Sequence, residues 1–299
     1  MILNKGIVWL ASYPKSGNTW FRIVLSNLLN SVGQTLDLNK ETIIGTGAAA
    51  RSMMDKALGF DSNLLNEDEL EKLRPLVYCW QAEQQKQPEY FKIHDAFYEL
   101  NNRLPLVPRD ASAGVVYFLR NPLDVAISFA HHMNTSLDRA IDMMNDPFLT
   151  LKGFTQRPMA QFRQRCSSWT GHVKSWTSIK DIPLLILRYE DMSFATLETF
   201  SQAFQFLNMS VSEAMILAAL EKSNFEHLKN YEQQFGFRES SPLAGNFFRK
   251  GIVGDWESTL NNEQIGRIIR DHGVYMRRFG YLDEQDQPVR MKKDCQWPN

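Results

Sequence analysis

Short, unbroken apolar runs alternate along this chain with longer stretches in which apolar residues recur at helical spacing. The first run, Gly6 to Ser12, ends in a Pro-Lys-Ser-Gly turn. Tyr90 to His94, Gly114 to Leu119 and Leu184 to Tyr189 are the other three runs and predict buried strands. Asn18 to Leu29 predicts a helix, with Trp20, Phe21, Val24, Leu25, Leu28 and Leu29 on its apolar stripe. Further helices are expected at Glu67 to Trp80, Leu123 to His132 behind Pro122, Met159 to Ile179, Phe194 to Leu207, Ser212 to Lys222 and Asn262 to Phe279. Residues 31 to 65, 133 to 158 and 230 to 247 show no sustained period and read as irregular. Short buried strands separated by helices predict an α/β fold. The expected form is a single domain over 1–299, with a mainly parallel sheet flanked by helices and a P-loop-like phosphate-binding loop after the first strand.

Composition narrows the function classes. The 299 residues are 43% hydrophobic and 22% charged with a net charge of -1, enough for a large core and too little positive charge for a general grip on nucleic acid or anionic lipid. The three cysteines, Cys79, Cys166 and Cys295, lie far apart and form neither a disulfide framework nor a zinc-ligand spacing. They suit a reducing compartment. No signal peptide and no membrane-spanning stretch is evident, so a cytoplasmic protein is expected, with no membrane partner.

The segment Tyr13-Pro14-Lys15-Ser16-Gly17-Asn18-Thr19-Trp20 joins the first strand to the first helix. A helix start presents unsatisfied N–H groups and a partial positive charge, so it favours an anion. Gly17 lets the backbone approach closely, Ser16, Asn18 and Thr19 add hydrogen-bonding groups, and Lys15 adds a full charge. In nucleoside triphosphatases the lysine directly follows the last glycine and a Ser or Thr holds magnesium; here the lysine precedes the glycine. The plainer reading of the segment is a turn that caps a helix.

Three segments, taken in order, resemble the cytosolic-type sulfotransferase family, including its bacterial natural-product members. Residues 13–20 resemble that family's 5′-phosphosulfate loop. Tyr117-Phe118-Leu119-Arg120-Asn121-Pro122-Leu123-Asp124-Val125-Ala126-Ile127-Ser128 resembles its 3′-phosphate strand and helix. Phe248-Arg249-Lys250-Gly251-Ile252-Val253-Gly254-Asp255-Trp256 resembles its Arg-Lys-Gly-x-x-Gly-Asp-Trp signature. The resemblance implies that the co-substrate is 3′-phosphoadenosine 5′-phosphosulfate (PAPS), that the product is the 3′,5′-bisphosphate (PAP), and that no metal is required. It implies that Arg120, Ser128, Arg249, Lys250 and Gly251 hold the 3′-phosphate, with Phe248 in the same signature. Trp20 and Phe225 would then form the adenine slot, with Ser223 and Tyr189 as polar neighbours. Arginine's planar fork suits phosphate, although a solvated pair and ordinary core aromatics are the plainer readings of Arg249-Lys250 and of Trp20 and Phe225.

Sulfuryl transfer needs in-line positioning and charge stabilisation at the bridging oxygen. Lys15 is the candidate for the leaving-group charge. Lys92 is the candidate for the sulfonate oxygens, and His94, at the family's Lys-x-His position, is the candidate general base. His131 and His132, adjacent on a helix, are expected to point apart; with His172, His227 and His272 they read as structural or surface groups. Three departures stand out: Asn18 replaces a usual threonine, Asp95 a leucine and Glu257 a lysine. Asp95 could raise the pKa of His94 or reshape the acceptor mouth. The family's dimer motif has no counterpart after Lys229, and oligomeric state stays open. Met53, Met54, Phe60, Met133, Phe148, Phe154 and Phe235 in the irregular segments favour a small apolar or aromatic acceptor, with a hydroxyl or amine group. The competing readings are a P-loop nucleotide kinase and a non-catalytic PAP-binding module.

Overall fold

The structure, a computed structural model, describes residues 5–30, 37–39, 43–100, 103–151, 161–240 and 245–290. Its contacts group the chain into two compact units that interleave in sequence: Met1–Tyr13, Gly45–Tyr117 and Asp146–Ile186, and Pro14–Ile44, Phe118–Asn145 and Leu187–Asn299.

The first unit carries the sheet. Its strands are β1 (Gly6–Ser12), β2 (Thr46–Gly47), β3 (Pro88–Ile93), β4 (Ser112–Leu119) and β7 (Leu184–Arg188), in the order β2-β3-β1-β4-β7. The last residues of β4 and β7 run on into the second unit. β3 pairs in parallel with both β1 and β2, and Leu10 lies opposite Lys92. Every residue of β1 is buried, which is why it reads as a continuous apolar run rather than an alternating one. β5 (Thr150–Leu151) and β6 (Gln164–Arg165) form a small antiparallel pair. Among the described residues, this unit's helices are α2 (Arg51–Leu58), α3 (Glu67–Gln84) and α6 (Trp169–Thr177). α3 begins in a capping box between Asn66 and Glu69.

The second unit is helical. It contains α1 (Asn18–Leu29), α4 (Pro122–Met133), α5 (Leu137–Asn145), α7 (Tyr189–Phe194), α8 (Thr196–Phe206), α9 (Glu213–Lys222), α10 (Phe225–Phe235), α11 (Trp256–Thr259) and α12 (Asn262–Arg278). α4 starts where Pro122 fits the first turn and the Asn121 side chain accepts from the Leu123 N–H. Phe21 of α1 stacks on Phe200 of α8 and packs against Phe118.

The α/β class, β1 and α1 agree with the sequence reading. Five local expectations need correction. The 31–65 segment contains β2, α2 and a 3-10 turn at Ser62–Leu64, and 133–158 contains α5 and β5. Charged and polar residues break up the few apolar positions of these helices, though Met53 and Met54 are buried. The helix expected from Met159 starts only at Trp169, where Ser168 accepts from the Gly171 N–H; residues 161–168 are non-helical, and 152–160, with Phe154, lie outside the described residues. Tyr189 opens α7 rather than ending a strand, and α10 occupies the start of the 230–247 segment behind Asn224. Phe60, Phe148 and Phe235 are exposed. Cys79 and Cys166 are free thiols, and Cys295 lies outside the described residues. Among the described residues, no helix is long and apolar enough to cross a membrane and no three metal-ligating side chains gather.

Candidate active site

In the second unit, the loop before α1 is shaped for close approach. Lys15 and Gly17 both have left-handed backbones, φ 69° and 98°. A Cβ on Gly17 would lie 2.8 Å from the Tyr189 ring, so only glycine fits there. Gly17 occupies the cap position of α1 without any side-chain cap, which leaves the helix start open to an external acceptor. Ser16 is buried and its Oγ has no hydrogen-bond partner. A buried hydroxyl in that condition fits an anion that supplies the missing bond. Thr19 instead donates to Glu239, which also receives Arg22 at 2.6 Å.

Arg120 at the end of β4 ties this loop to the C-terminal signature. Its Nη1 donates to the Lys15 carbonyl at 3.2 Å and its Nη2 to the Ile252 carbonyl at 2.9 Å. Its guanidinium lies 4.1 Å over the Tyr189 ring, and its buried Nε has no partner. The signature segment is held from two sides. Asp124 of α4 accepts the backbone N–H of Gly254 and of Trp256, at 2.8 and 3.1 Å. Burial pushes the Asp124 carboxyl up, against the lowering effect of Arg120 and these two N–H groups. Asp255 accepts from both Arg249 and Lys250 at 2.5 Å. Burial alone would raise Asp255, but the hydrogen bonds from Lys250 and Arg249 prevail and hold it below the ordinary carboxylate range.

Lys15, Ser128, His131, His132, Phe247 and Arg249 line one small cavity. The Lys15 ammonium lies 3.9 Å over the Phe247 ring. Lys15 of the first motif segment thus shares a cavity with Ser128 of the second and Arg249 of the third. His131 and His132 follow Ser128 by three and four residues on α4, so both positions neighbour it even though adjacent helical side chains diverge from each other.

The aromatic group also assembles. Trp20 Nε1 donates to the Ser223 carbonyl at 3.2 Å, and its ring lies 6.1 Å from that of Tyr189. Phe225 presses on Gly251, where a Cβ would come within 2.3 Å of the ring. Trp20 and Phe225 also flank an apolar cluster that contains Phe248. The Ser223 hydroxyl donates to Ala219 and accepts from Asn27, so it is already engaged.

In the first unit, Lys92 and His94 are half-buried while Phe91, Ile93 and Asp95 are buried, which places Lys92 and His94 on the opposite face from those three. His94 Nδ1 lies 2.8 Å from the Ser12 carbonyl oxygen and 3.3 Å from its hydroxyl. A carbonyl only accepts, so this contact places a proton on Nδ1 and leaves the lone pair on Nε2. Asp95 does not face His94 as an unbalanced charge. It binds Arg74 through both oxygens, at 3.0 and 2.6 Å, and accepts the Arg165 N–H at 2.8 Å. Cys166 donates to the His94 carbonyl and Trp176 to the Asp95 carbonyl, so the backbone around His94 is anchored on several sides. Sequence reasoning assigned no role to Asp124, Asp255, Phe247 or Ser12. The first two lie inside the quoted motifs, where their acidic character among basic neighbours was the available signal.

The sulfotransferase domain model matches residues 5–280. A rabbit (Oryctolagus cuniculus) amine sulfotransferase is 26% identical over 282 residues, covering 91% of this chain and 81% of that protein. The dog (Canis lupus familiaris) sulfotransferase 1A1 is 27% identical over 277 residues, covering 91% and 83%. Among solved structures, a mouse sulfotransferase complexed with PAP superposes with a TM-score of 0.57 at 19% identity, covering 91% of this chain and 85% of that one. A retinol dehydratase in complex with androsterone and PAP gives 0.56 at 20% identity, covering 90% and 80%. These two likenesses speak to the fold, whereas the domain match runs through both compact units and all three motif segments: the chain belongs to the sulfotransferase family.

Proposed function

We propose that this protein, as one sulfotransferase domain, transfers the sulfuryl group of PAPS to a hydroxyl or amine of a small acceptor. The observation that carries the reading is the gathering of Lys15, Ser128 and Arg249 at one cavity, beside a helix start whose buried Ser16 hydroxyl lacks a partner. These residues come from three separate motif segments and share a chemistry suited to a doubly phosphorylated nucleotide.

The acceptor oxygen or nitrogen attacks sulfur, and the bond from sulfur to the bridging 5′-phosphate oxygen breaks. His94 Nε2 takes the acceptor's proton, and the electron pair of the broken bond leaves on the phosphate of PAP. Lys15 stabilises that oxygen and Lys92 the sulfonate oxygens. Ser16, Gly17, Asn18 and Thr19 cradle the 5′ end. Arg120, Ser128, Arg249, Lys250 and Gly251, with Phe248 behind them, serve the 3′-phosphate. Trp20, Phe225, Tyr189 and Ser223 surround adenine. The Nδ1–H contact to Ser12 supports the base role because it leaves Nε2 as the basic nitrogen.

An apolar or aromatic acceptor is favoured by the methionines and phenylalanines of the 31–65, 133–158 and 230–247 segments. Related proteins span an amine sulfotransferase and a retinol dehydratase solved with androsterone, so both acceptor groups belong in a screen. The test is incubation with ³⁵S-labelled PAPS and panels of phenols, aliphatic alcohols and amines. Labelled product from at least one class supports the reading. PAP binding without transfer to any panel member would assign the chain to non-catalytic nucleotide binding.

A further inference from the structure

The cavity lined by Ser128 and Arg249 is also lined by two histidines, His131 and His132, to which the proposed transfer gives no role. Ser128, His131 and His132 occupy positions i, i+3 and i+4 of α4 and share one surface. His131 Nε2 lies 3.3 Å from the Asn246 carbonyl, a contact that carries the proton on Nε2 and leaves Nδ1 able to take a second one. We infer that His131 and His132 complete the 3′-phosphate cradle as proton-dependent cations, so that donor binding is coupled to proton uptake. The inference rests on the PAPS reading and deepens it.

The charges around the cavity show why further cations are of use. Arg249 and Lys250 both share Asp255, so two positive charges there stand against one negative. The Lys15 ammonium rests over Phe247. On α4, Asp124 is engaged by two backbone N–H groups and lies 3.9 Å from Arg120. On the packed helices, Arg267 of α12 engages Asp138 and Asp142 of α5 at 2.8 and 2.6 Å, and Arg139 of α5 adds a cation. Glu257 of α11 meets Arg290 at 3.4 Å, and Asp271 meets Arg270 at 3.3 Å. His272 of α12 is buried, and burial lowers it to about 4, so it stays neutral near pH 7. Every carboxylate named here meets a donor or cation, Asp138 and Asp142 sharing Arg267. A phosphate monoester carries nearly two charges above its second pKa of about 6. Such a dianion favours the protonated form of an imidazole beside it, and the linkage is reciprocal: protonated rings bind phosphate more tightly.

The test is calorimetric titration of the full chain with PAP and with adenosine 5′-phosphate between pH 6.5 and 8.5, each in two buffers of different ionisation enthalpy. The expected result for the unaltered protein is net proton uptake with PAP and about a ten-fold loss of PAP affinity across that range, well beyond the loss for adenosine 5′-phosphate. His131→Asn/His132→Asn, and each single variant, should bind PAP with a flatter pH profile and less proton uptake. Both rings reach solvent, so these changes leave the core intact. Equal pH slopes for the unaltered protein and the double variant would overturn the inference while leaving the donor reading in place. Absence of PAP binding at any pH would remove the donor reading, and this inference with it.

Discussion

The Nδ1 of His94 lies 2.8 Å from the backbone carbonyl of Ser12, the last residue of β1. The contact joins the end of β3 to the strand that pairs with it and selects the tautomer that can act as a base through Nε2. His94→Ala should therefore lower kcat by about a hundred-fold or more, the usual scale for general-base loss, while PAP affinity stays within two-fold of about its original value. His94→Gln should be as inactive, since glutamine can donate to Ser12 but cannot accept the proton. Retained turnover in either variant, measured with labelled PAPS, would remove the base role.

Arg120 and Arg249 should discriminate between nucleotides. Arg120→Ala and Arg249→Ala are each expected to weaken PAP by about 2 kcal/mol, roughly thirty-fold, and adenosine 5′-phosphate by much less. Arg120→Lys should not rescue, because one ammonium cannot reproduce a fork that reaches both the Lys15 and Ile252 carbonyls. Equal losses for the two ligands by calorimetry would reject the 3′-phosphate assignment.

Gly251 has a left-handed backbone, φ 64°, and lies under the Phe225 ring. Gly251→Ala should lower PAP affinity about ten-fold or more by displacing Phe225, and destabilise the fold by about 1–2 kcal/mol through strain. Gly251→Ala/Phe225→Leu should recover part of the stability without recovering affinity, as thermal unfolding and calorimetry would report.

The Arg74–Asp95 pair is buried beside His94, with both side chains at most 1% exposed. Removing one partner leaves the other charge unpaired, so Arg74→Met should cost about 3–5 kcal/mol. Adding Asp95→Asn, which keeps an oxygen for the Arg165 N–H, should recover much of that loss. Denaturant unfolding of the single and double variants checks it; an additive result would show that the pair is not coupled.

Acid should destabilise the fold through two buried histidines. Burial holds His172 at about 3 and His272 at about 4, below the ordinary histidine value. In the unfolded chain both gain protons as pH falls through about 6.5, while the folded chain resists. Their contribution is complete above that pH and is lost toward pH 4, by about 1.4 kcal/mol per pH unit for each ring. Asp124 and Glu190, raised by burial, act with the opposite sign. The readout is therefore the slope of unfolding free energy between pH 6.5 and 4.5, which should be shallower in His172→Gln and in His272→Gln. An unchanged slope would contradict the assignment.

Much of the scaffold was legible because its signals are local. Gly6 to Ser12 is apolar throughout because both faces of β1 are covered, and Asn121-Pro122 marks the start of α4 by capping alone. α2, α5 and α10 were hidden because charged and polar residues break up their few apolar positions, as in Phe225-Glu226-His227-Leu228-Lys229-Asn230 of α10, whereas the equally short α9 carries Met215-Ile216-Leu217 and Leu220. In the site, the motif lysines and arginines were readable as cations, but not their partners. That Asp255 holds Arg249 and Lys250, that Phe247 lies beneath Lys15, and that Arg74 neutralises Asp95 are consequences of tertiary packing. For the same reason, two adjacent histidines read as surface groups until the loop of Asn246 and Phe247 came to lie beside them.

Use of PAPS is tested most directly by calorimetric titration of the purified protein with PAP, in the absence of magnesium, against ATP with and without magnesium. Tight PAP binding is expected, at least about a hundred-fold stronger than either form of ATP, because the proposed cradle at Ser128 and Arg249 would take a 3′-phosphate that ATP lacks. Preference for magnesium-ATP, or no binding of PAP, would contradict it and return the loop at Lys15 to the kinase reading.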